Sequence, residues 1–168
     1  MTALARLGIE AKVPVLIRDP RERQEALILE YGHTVGHALE IVTDGRLSHG
    51  EAIDSGALAA AEVSLTLGIL SADGARDHRR ELSHLQLPPA VTALGDIDRT
   101  ARHDVLRHDN KRGHLDQSVS AIPMVLLSGP GAPVLHSDGR PLVAVPAKVV
   151  LDAFDAVAGR MSRQGGRH

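Results

Sequence analysis

The chain has 168 residues, 43% of them hydrophobic, with 19 basic against 21 acidic side chains and a formal net charge of -2. That length carries one domain with a real core, and the near-even charge gives no electrostatic footprint for nucleic acid or an anionic membrane. The absence of cysteine excludes disulfides and thiolate metal sites and suits a cytoplasmic protein, and no apolar run approaches the ~20 residues of a membrane span.

With one tyrosine and one phenylalanine, the core has to be built from Ala, Leu, Val and Ile, which suits packed helices. Thr2 to Leu7 reads as a short helical tail ending at Gly8. Lys12-Val13-Pro14-Val15-Leu16-Ile17 is apolar and β-branched, with Pro14 opposing a central strand. Asp19-Pro20 reads as a helix start, a capping aspartate with proline at the first helical position, and Glu22 completes capping-box spacing. One helix is predicted from Pro20 to about Thr43. Leu27, Ile28, Leu29, Val35, Ala38, Leu39, Ile41 and Val42 make it apolar on more than one face, which argues for burial on several sides. Gly32 and Gly36 inside that helix would cost roughly 1 kcal/mol each relative to alanine. Close approach of another backbone or of a ligand would account for them.

Asp44-Gly45 breaks this helix, and a second follows over about 51–67, with small residues from Gly56 to Ala61 and Gly68 as its C-cap. A third, about 73–85, presents Arg76, Arg79 and Arg80 as an exposed charged face and closes at Pro88-Pro89. A fourth spans about 97–107. Asp109-Asn110-Lys111-Arg112-Gly113 is a polar turn. Residues 120–127 and 141–145 read as short strands, with turn chemistry at Gly129–Gly131 and Asp138-Gly139. A last helix covers about 147–160, and residues 164–168 read as a frayed end. No internal repeat and no domain linker is visible. His78, His84, His103, His114 and His136 read as solvated surface residues.

Chemistry concentrates between positions 31 and 51. His33 and His37 lie four residues apart, which on a helix stacks them on one face, and His49 follows beyond the glycine-containing break. Neutral imidazole is the commonest metal ligand, and a catalytic zinc takes three protein ligands, often two His and a carboxylate. Glu30, Glu40 and Glu51 are the carboxylates nearest in sequence. Spacing alone does not choose among the imidazoles, and ordinary buried or surface histidines are the competing reading. Thr34 after His33 excludes the His-Glu-x-x-His zinc-protease pattern.

Gly32-His33-Thr34-Val35-Gly36-His37-Ala38-Leu39-Glu40, then His49-Gly50-Glu51-Ala52, resembles the C-terminal domain of the sugar phosphate cyclases, of which dehydroquinate synthase is the best-known member. The resemblance runs from about Lys12 to Leu151. It takes in Lys12, the Asp19/Glu22 pair, the Asp109–Gly113 turn and the Met124–Leu127 strand. It implies a mostly α fold: residues 1–168 as a single helical metal and substrate domain of dehydroquinate synthase type with a small β-hairpin. The N-terminal NAD-binding domain of the family would be absent from the chain.

The implied reaction is that of a phosphate-eliminating carbon–oxygen lyase using NAD and a divalent metal, zinc or cobalt. A ring hydroxyl is oxidised, phosphate is eliminated, the carbonyl is reduced again and the opened ring closes by aldol addition. By this resemblance His33 and His49 ligate the metal. His37 is catalytic at the phosphate end and assists proton transfer, Lys12 and Glu30 are further catalytic residues, and Asp109 and Lys111 bind substrate. Where dehydroquinate synthase has arginine and asparagine, this chain has Ala26 and Glu30. The stretch Glu25–His37 is more similar to the 2-deoxy-scyllo-inosose synthases, which open aminoglycoside biosynthesis from glucose 6-phosphate. Glucose 6-phosphate lacks a carboxylate for an arginine to bind, and Glu30 can accept hydrogen bonds from sugar hydroxyls. The family supplies a glutamate metal ligand from chain before Lys12, and no dinucleotide fingerprint occurs, Gly129-Pro130-Gly131 being a turn. The lone chain is therefore expected to be inactive or strongly impaired, with a sugar phosphate substrate, a separately encoded N-terminal half as partner and a homodimer in the full-length family. The alternatives are a dehydroquinate synthase and a non-catalytic domain that binds a partner.

Overall fold

The computed structural model describes residues 3–82, 99–108 and 121–164. The turns expected at Pro88-Pro89 and at Asp109–Gly113 lie outside the described residues, as do Asp109 and Lys111 themselves. Helix α1 (Ala3–Arg18) is followed by a 3-10 segment (Glu25–Glu30), α2 (His33–Val42), α3 (His49–Thr66), α4 (Ala72–Leu82) and α5 (Arg99–His108). Then come strands β1 (Ala121–Met124), β2 (Leu127–Gly129), β3 (Ala132–Pro133) and β4 (Val143–Pro146), and a final helix α6 (Ala147–Gln164). The mostly α expectation holds.

The N-terminal reading is corrected in two places. Residues 3–18 form one helix that runs through Gly8 and Pro14, not a tail followed by a weak strand. Proline costs a helix the hydrogen bond to the carbonyl four residues back. On a helix as exposed as α1 water can take that carbonyl instead. The predicted helix from Pro20 to Thr43 is also not continuous. Asp19 caps a loop: its carboxylate accepts from the backbone N–H of Arg23 at 3.1 Å, Gln24 at 2.6 Å and Ala26 at 3.1 Å. Glu22 takes a positive φ of 50° and completes no box. The 3-10 segment follows, and Gly32, at φ 82°, turns the chain before α2 begins.

The break has a packing cause. A Cβ on Gly32 would sit 2.7 Å from the Ile53 carbonyl oxygen and one on Gly56 would sit 1.9 Å from the Gly32 carbonyl oxygen. Helices α2 and α3 therefore meet backbone to backbone, the close approach that the glycines and the small run of α3 anticipated. The Ser48 hydroxyl accepts from Glu51 N–H, and Glu51 accepts in turn from Ser48 N–H at 2.8 Å. This capping box starts α3 at His49, two residues earlier than expected.

Around this pair the aliphatic core closes. Val35 and Leu39 of α2, Ala59, Ala60 and Val63 of α3, Leu106 of α5, Ile122 and Met124 of β1, Val145 of β4, and Val150 and Phe154 of α6 form one buried cluster. Full burial of a side chain such as Leu39 or Phe154 stabilises by about 1.5–3 kcal/mol before entropy is counted. The predicted hairpin resolves into two nested antiparallel pairs. The outer pair is β1 with β4, Ile122 opposite Val145 and Met124 opposite Val143. The inner pair is β2 with β3, turning at Gly131 with φ 67°. The Thr34 hydroxyl donates to the Pro123 carbonyl at 3.2 Å and ties α2 to β1.

Candidate metal and substrate site

Three imidazoles meet where α2 and α3 both begin. His33 is the first residue of α2, behind the Gly32 turn, and His49 the first of α3, behind the Ser48 cap. His37 lies one turn along α2, with Glu40 three residues further on the same helix. The ring centroids are 5.3 Å apart for His33–His37, 5.5 Å for His33–His49 and 5.9 Å for His37–His49. The glycine contact brings the rings this close: with side chains at Gly32, Gly36 and Gly56, α3 would have to move away from α2.

Hydrogen bonding decides which ring nitrogen carries the proton. His33 Nδ1 lies 3.3 Å from the Tyr31 carbonyl oxygen, and His49 Nδ1 lies 3.1 Å from Glu40 Oε1. A carbonyl or an ionised carboxylate can only accept, so in both rings Nδ1 is the donor. In that tautomer Nε2 is the unprotonated nitrogen, the form in which an imidazole can ligate a metal. The donor chemistry fits zinc or cobalt, which take imidazole nitrogen and carboxylate oxygen. Among the described residues, the donor atoms that come within 4.8 Å of one another are those of His37, Glu40 and His49, a group that does not include His33. Donors of a tetrahedral zinc stand about 3.3 Å apart, given bonds of roughly 2.0–2.1 Å, so a small closing movement suffices. Glu51 is spent on the helix cap, and the hydroxyl and backbone N–H of Ser48 hold its carboxyl below the usual range.

The remaining expected site residues are placed differently. Lys12 is exposed on α1, a helix whose principal neighbour is the 3-10 segment rather than α2 or α3. Glu30 is half-buried at the end of the 3-10 segment, two residues before Gly32. Ala26 is fully buried at 0% exposure, so an arginine there would need space this packing does not leave.

Two features escaped the sequence reading. Glu40 bonds His49 across the break, and only its spacing from His37 hinted at this. His78, expected at the surface, is half-buried on α4. Its Nε2 lies 3.0 Å from the Tyr31 hydroxyl, which also donates to the Ala57 carbonyl at 3.2 Å. Burial lowers the His78 pKa and raises that of Tyr31. Arg79 is likewise not on a free charged face, pairing with Glu62 at 2.5 Å. His136, 61% exposed in its side chain, is the surface residue expected.

A glycine-joined helix pair with a histidine cluster at its head, in a mostly helical domain, defines a class. Residues 1–112 match the family described as 3-dehydroquinate synthase C-terminal, and the chain belongs to that family. Within it, several relatives share one name. The chain is 43% identical over 151 residues to 2-deoxy-scyllo-inosose synthase of Micromonospora echinospora, covering 90% of this chain and 37% of that protein. It is 35% identical over 129 residues to the enzyme of the same name from Niallia circulans, covering 77% of this chain and 34% of that one. A solved 2-deoxy-scyllo-inosose synthase complexed with carbaglucose-6-phosphate, NAD+ and Co2+ superimposes with a TM-score of 0.75 at 30% identity, over 90% of this chain and 39% of its own. The chain thus spans well under half the length of the relatives it matches.

Proposed function

We propose that this chain is the metal- and substrate-binding part of a 2-deoxy-scyllo-inosose synthase, a lyase that converts glucose 6-phosphate to 2-deoxy-scyllo-inosose and phosphate in aminoglycoside biosynthesis. One observation carries the reading: His33 and His49, on two helices locked together by glycines, both have Nδ1 committed to an acceptor. In that tautomer both rings have the form that ligates a metal through Nε2, with His37 beside them to exchange a proton with substrate. Relatives of the same name and a solved neighbour holding a sugar-phosphate analogue, NAD+ and Co2+ support the substrate and cofactor assignment.

When bound, the divalent ion and NAD supply charge stabilisation at the reacting oxygen and hydride transfer. The residues here bind and orient: His33 and His49 as ligands, His37 at the phosphate end, Glu30 as an acceptor for sugar hydroxyls, and Lys12, Asp109 and Lys111 toward substrate. No strand–glycine loop–helix unit occurs among the described residues, so the NAD cradle belongs to the portion of the relatives that this chain does not span. Lys12, exposed on α1, would reach the site only in that larger assembly. The family's full-length homodimer and a cytoplasmic location belong to the same reading.

The test is product analysis with glucose 6-phosphate, NAD+ and Co2+, using the chain alone and the chain mixed with the N-terminal portion of a full-length relative. Cyclisation only in the mixture is expected, and robust cyclisation by the chain alone would overturn the half-enzyme reading. The dehydroquinate synthase alternative predicts turnover of that enzyme's substrate instead; Ala26 and Glu30 oppose it. A second reading has its own support. Leu7, Ile9, Val13 and Ile17 leave α1 with 42–73% exposed apolar side chains, a surface for a separately encoded N-terminal half. Co-purification of the two halves tests it.

A further inference from the structure

We propose that Glu40 is the positioning residue of this metal centre: it fixes the tautomer and orientation of His49, and through them sets how tightly the ion is held. The inference rests on the metal reading above and deepens it. His49 is the first residue of α3, with 60% of its side chain exposed, so packing alone does not immobilise the ring. Among the described residues its hydrogen-bonding partner is Glu40, at 3.1 Å from Nδ1. A free imidazole in water favours the proton on Nε2, the wrong arrangement for a ligand that must bind through that atom. An anionic acceptor at Nδ1 reverses the preference and makes Nε2 more basic, as carboxylates behind metal-binding histidines do.

Glu40 is well placed for this. It sits one turn beyond His37 on the rigid helix α2, with its side chain only 29% exposed, so the carboxylate is better anchored than the ring it orients. His33 reaches the same tautomer by a different route, the Tyr31 carbonyl. The two imidazoles therefore differ in what holds them, and Glu40 substitutions should act on His49 rather than on His33.

The test compares wild type, Glu40→Ala and Glu40→Gln, with circular dichroism and thermal melting as the check on fold. Nitrogen-15 NMR of the metal-free chain near about pH 8, where imidazole is neutral, reads the tautomer directly. His49 should carry its proton on Nδ1 in wild type and move it to Nε2 in E40A, with His33 unchanged. E40Q should keep the wild-type tautomer, because its amide oxygen still accepts. Calorimetric titration with Co2+ should show binding about 10–100-fold weaker in E40A, with partial rescue in E40Q. A wild-type His49 protonated on Nε2, or an E40A chain with unchanged tautomer and affinity, overturns the assignment. So does an E40Q chain that keeps the tautomer yet binds as poorly as E40A, since that makes the carboxylate itself a ligand. A wild-type chain that binds no Co2+ overturns the metal reading instead, and the tautomer measurement then judges Glu40 by itself.

Discussion

A Cβ on Gly56 would lie 1.9 Å from the Gly32 carbonyl oxygen and 2.7 Å from Gly36 N. Both obstacles are backbone, so Gly56→Ala can be relieved only by moving α2 away from α3. Such overpacking costs typically 1–3 kcal/mol and sometimes more, and here about 3 kcal/mol or more is expected in urea unfolding. Gly50→Ala, with nothing within 4 Å of its added carbon, should stay within about 0.5 kcal/mol. The imidazoles make a second prediction at this scale. His33→Ala and His49→Ala should each weaken Co2+ binding at least about 10-fold, by removing a ligand or leaving the ion one donor short, with His37→Ala much milder. If H37A abolishes binding and H33A does not, the working donor set is His37, Glu40 and His49. The histidines, their helical spacing and the unusual glycines were legible in the sequence. The Glu40–His49 bond was not, because it crosses a chain break whose geometry no local pattern encodes.

Among the elements, α3 owes its start to the Ser48–Glu51 box. Ser48→Ala should cost about 1 kcal/mol, read by thermal melting, and should fray the turn that carries His49. The folded-state pKa of Glu51 is depressed. Its contribution is therefore present above the unfolded carboxylate value and is lost as pH falls through the folded one. Hydrogen exchange of the first turn of α3 should accelerate in that acid range. Helix α4 uses a titratable group in its neutral rather than its charged form, with the same direction in pH. Burial depresses the pKa of His78 below its ordinary 6.5, so below that value the unfolded chain binds the proton more readily. The stability His78 contributes is complete above pH 6.5 and declines as pH falls through the folded value, and His78→Gln should flatten that part of the melting profile. Helix existence was legible beyond α1, boundaries less so. The helix predicted over 20–43 failed because its periodicity continues through a 3-10 segment and a Gly32 break imposed by α3.

At the scale of the molecule, α1 stands apart. Its Arg6–Glu10 pair is exposed and worth little. Arg18 holds Glu25 at 2.5 Å and joins the helix to the 3-10 segment, while its apolar residues remain in water. Ile17, 73% exposed, should tolerate Ile17→Asp with a change within about 0.5 kcal/mol in the lone chain. If α1 is the docking surface, the same substitution should abolish co-purification with an N-terminal portion. A polar substitution without effect there would remove α1 from the interface.

The sequence by itself determined the family, the mostly helical class, the aliphatic core and the short list of histidines, because these depend on composition, spacing and ordered local motifs. Only the tertiary structure decided that Gly32 ends one element and starts another, that Pro14 lies within a helix, and that Glu40 belongs to His49. Each depends on what a distant segment or the solvent does to a backbone group. The contact of Gly32 with Ile53 and Gly56, in particular, is a steric fact between residues more than twenty positions apart, and the histidine cluster takes its shape from that contact.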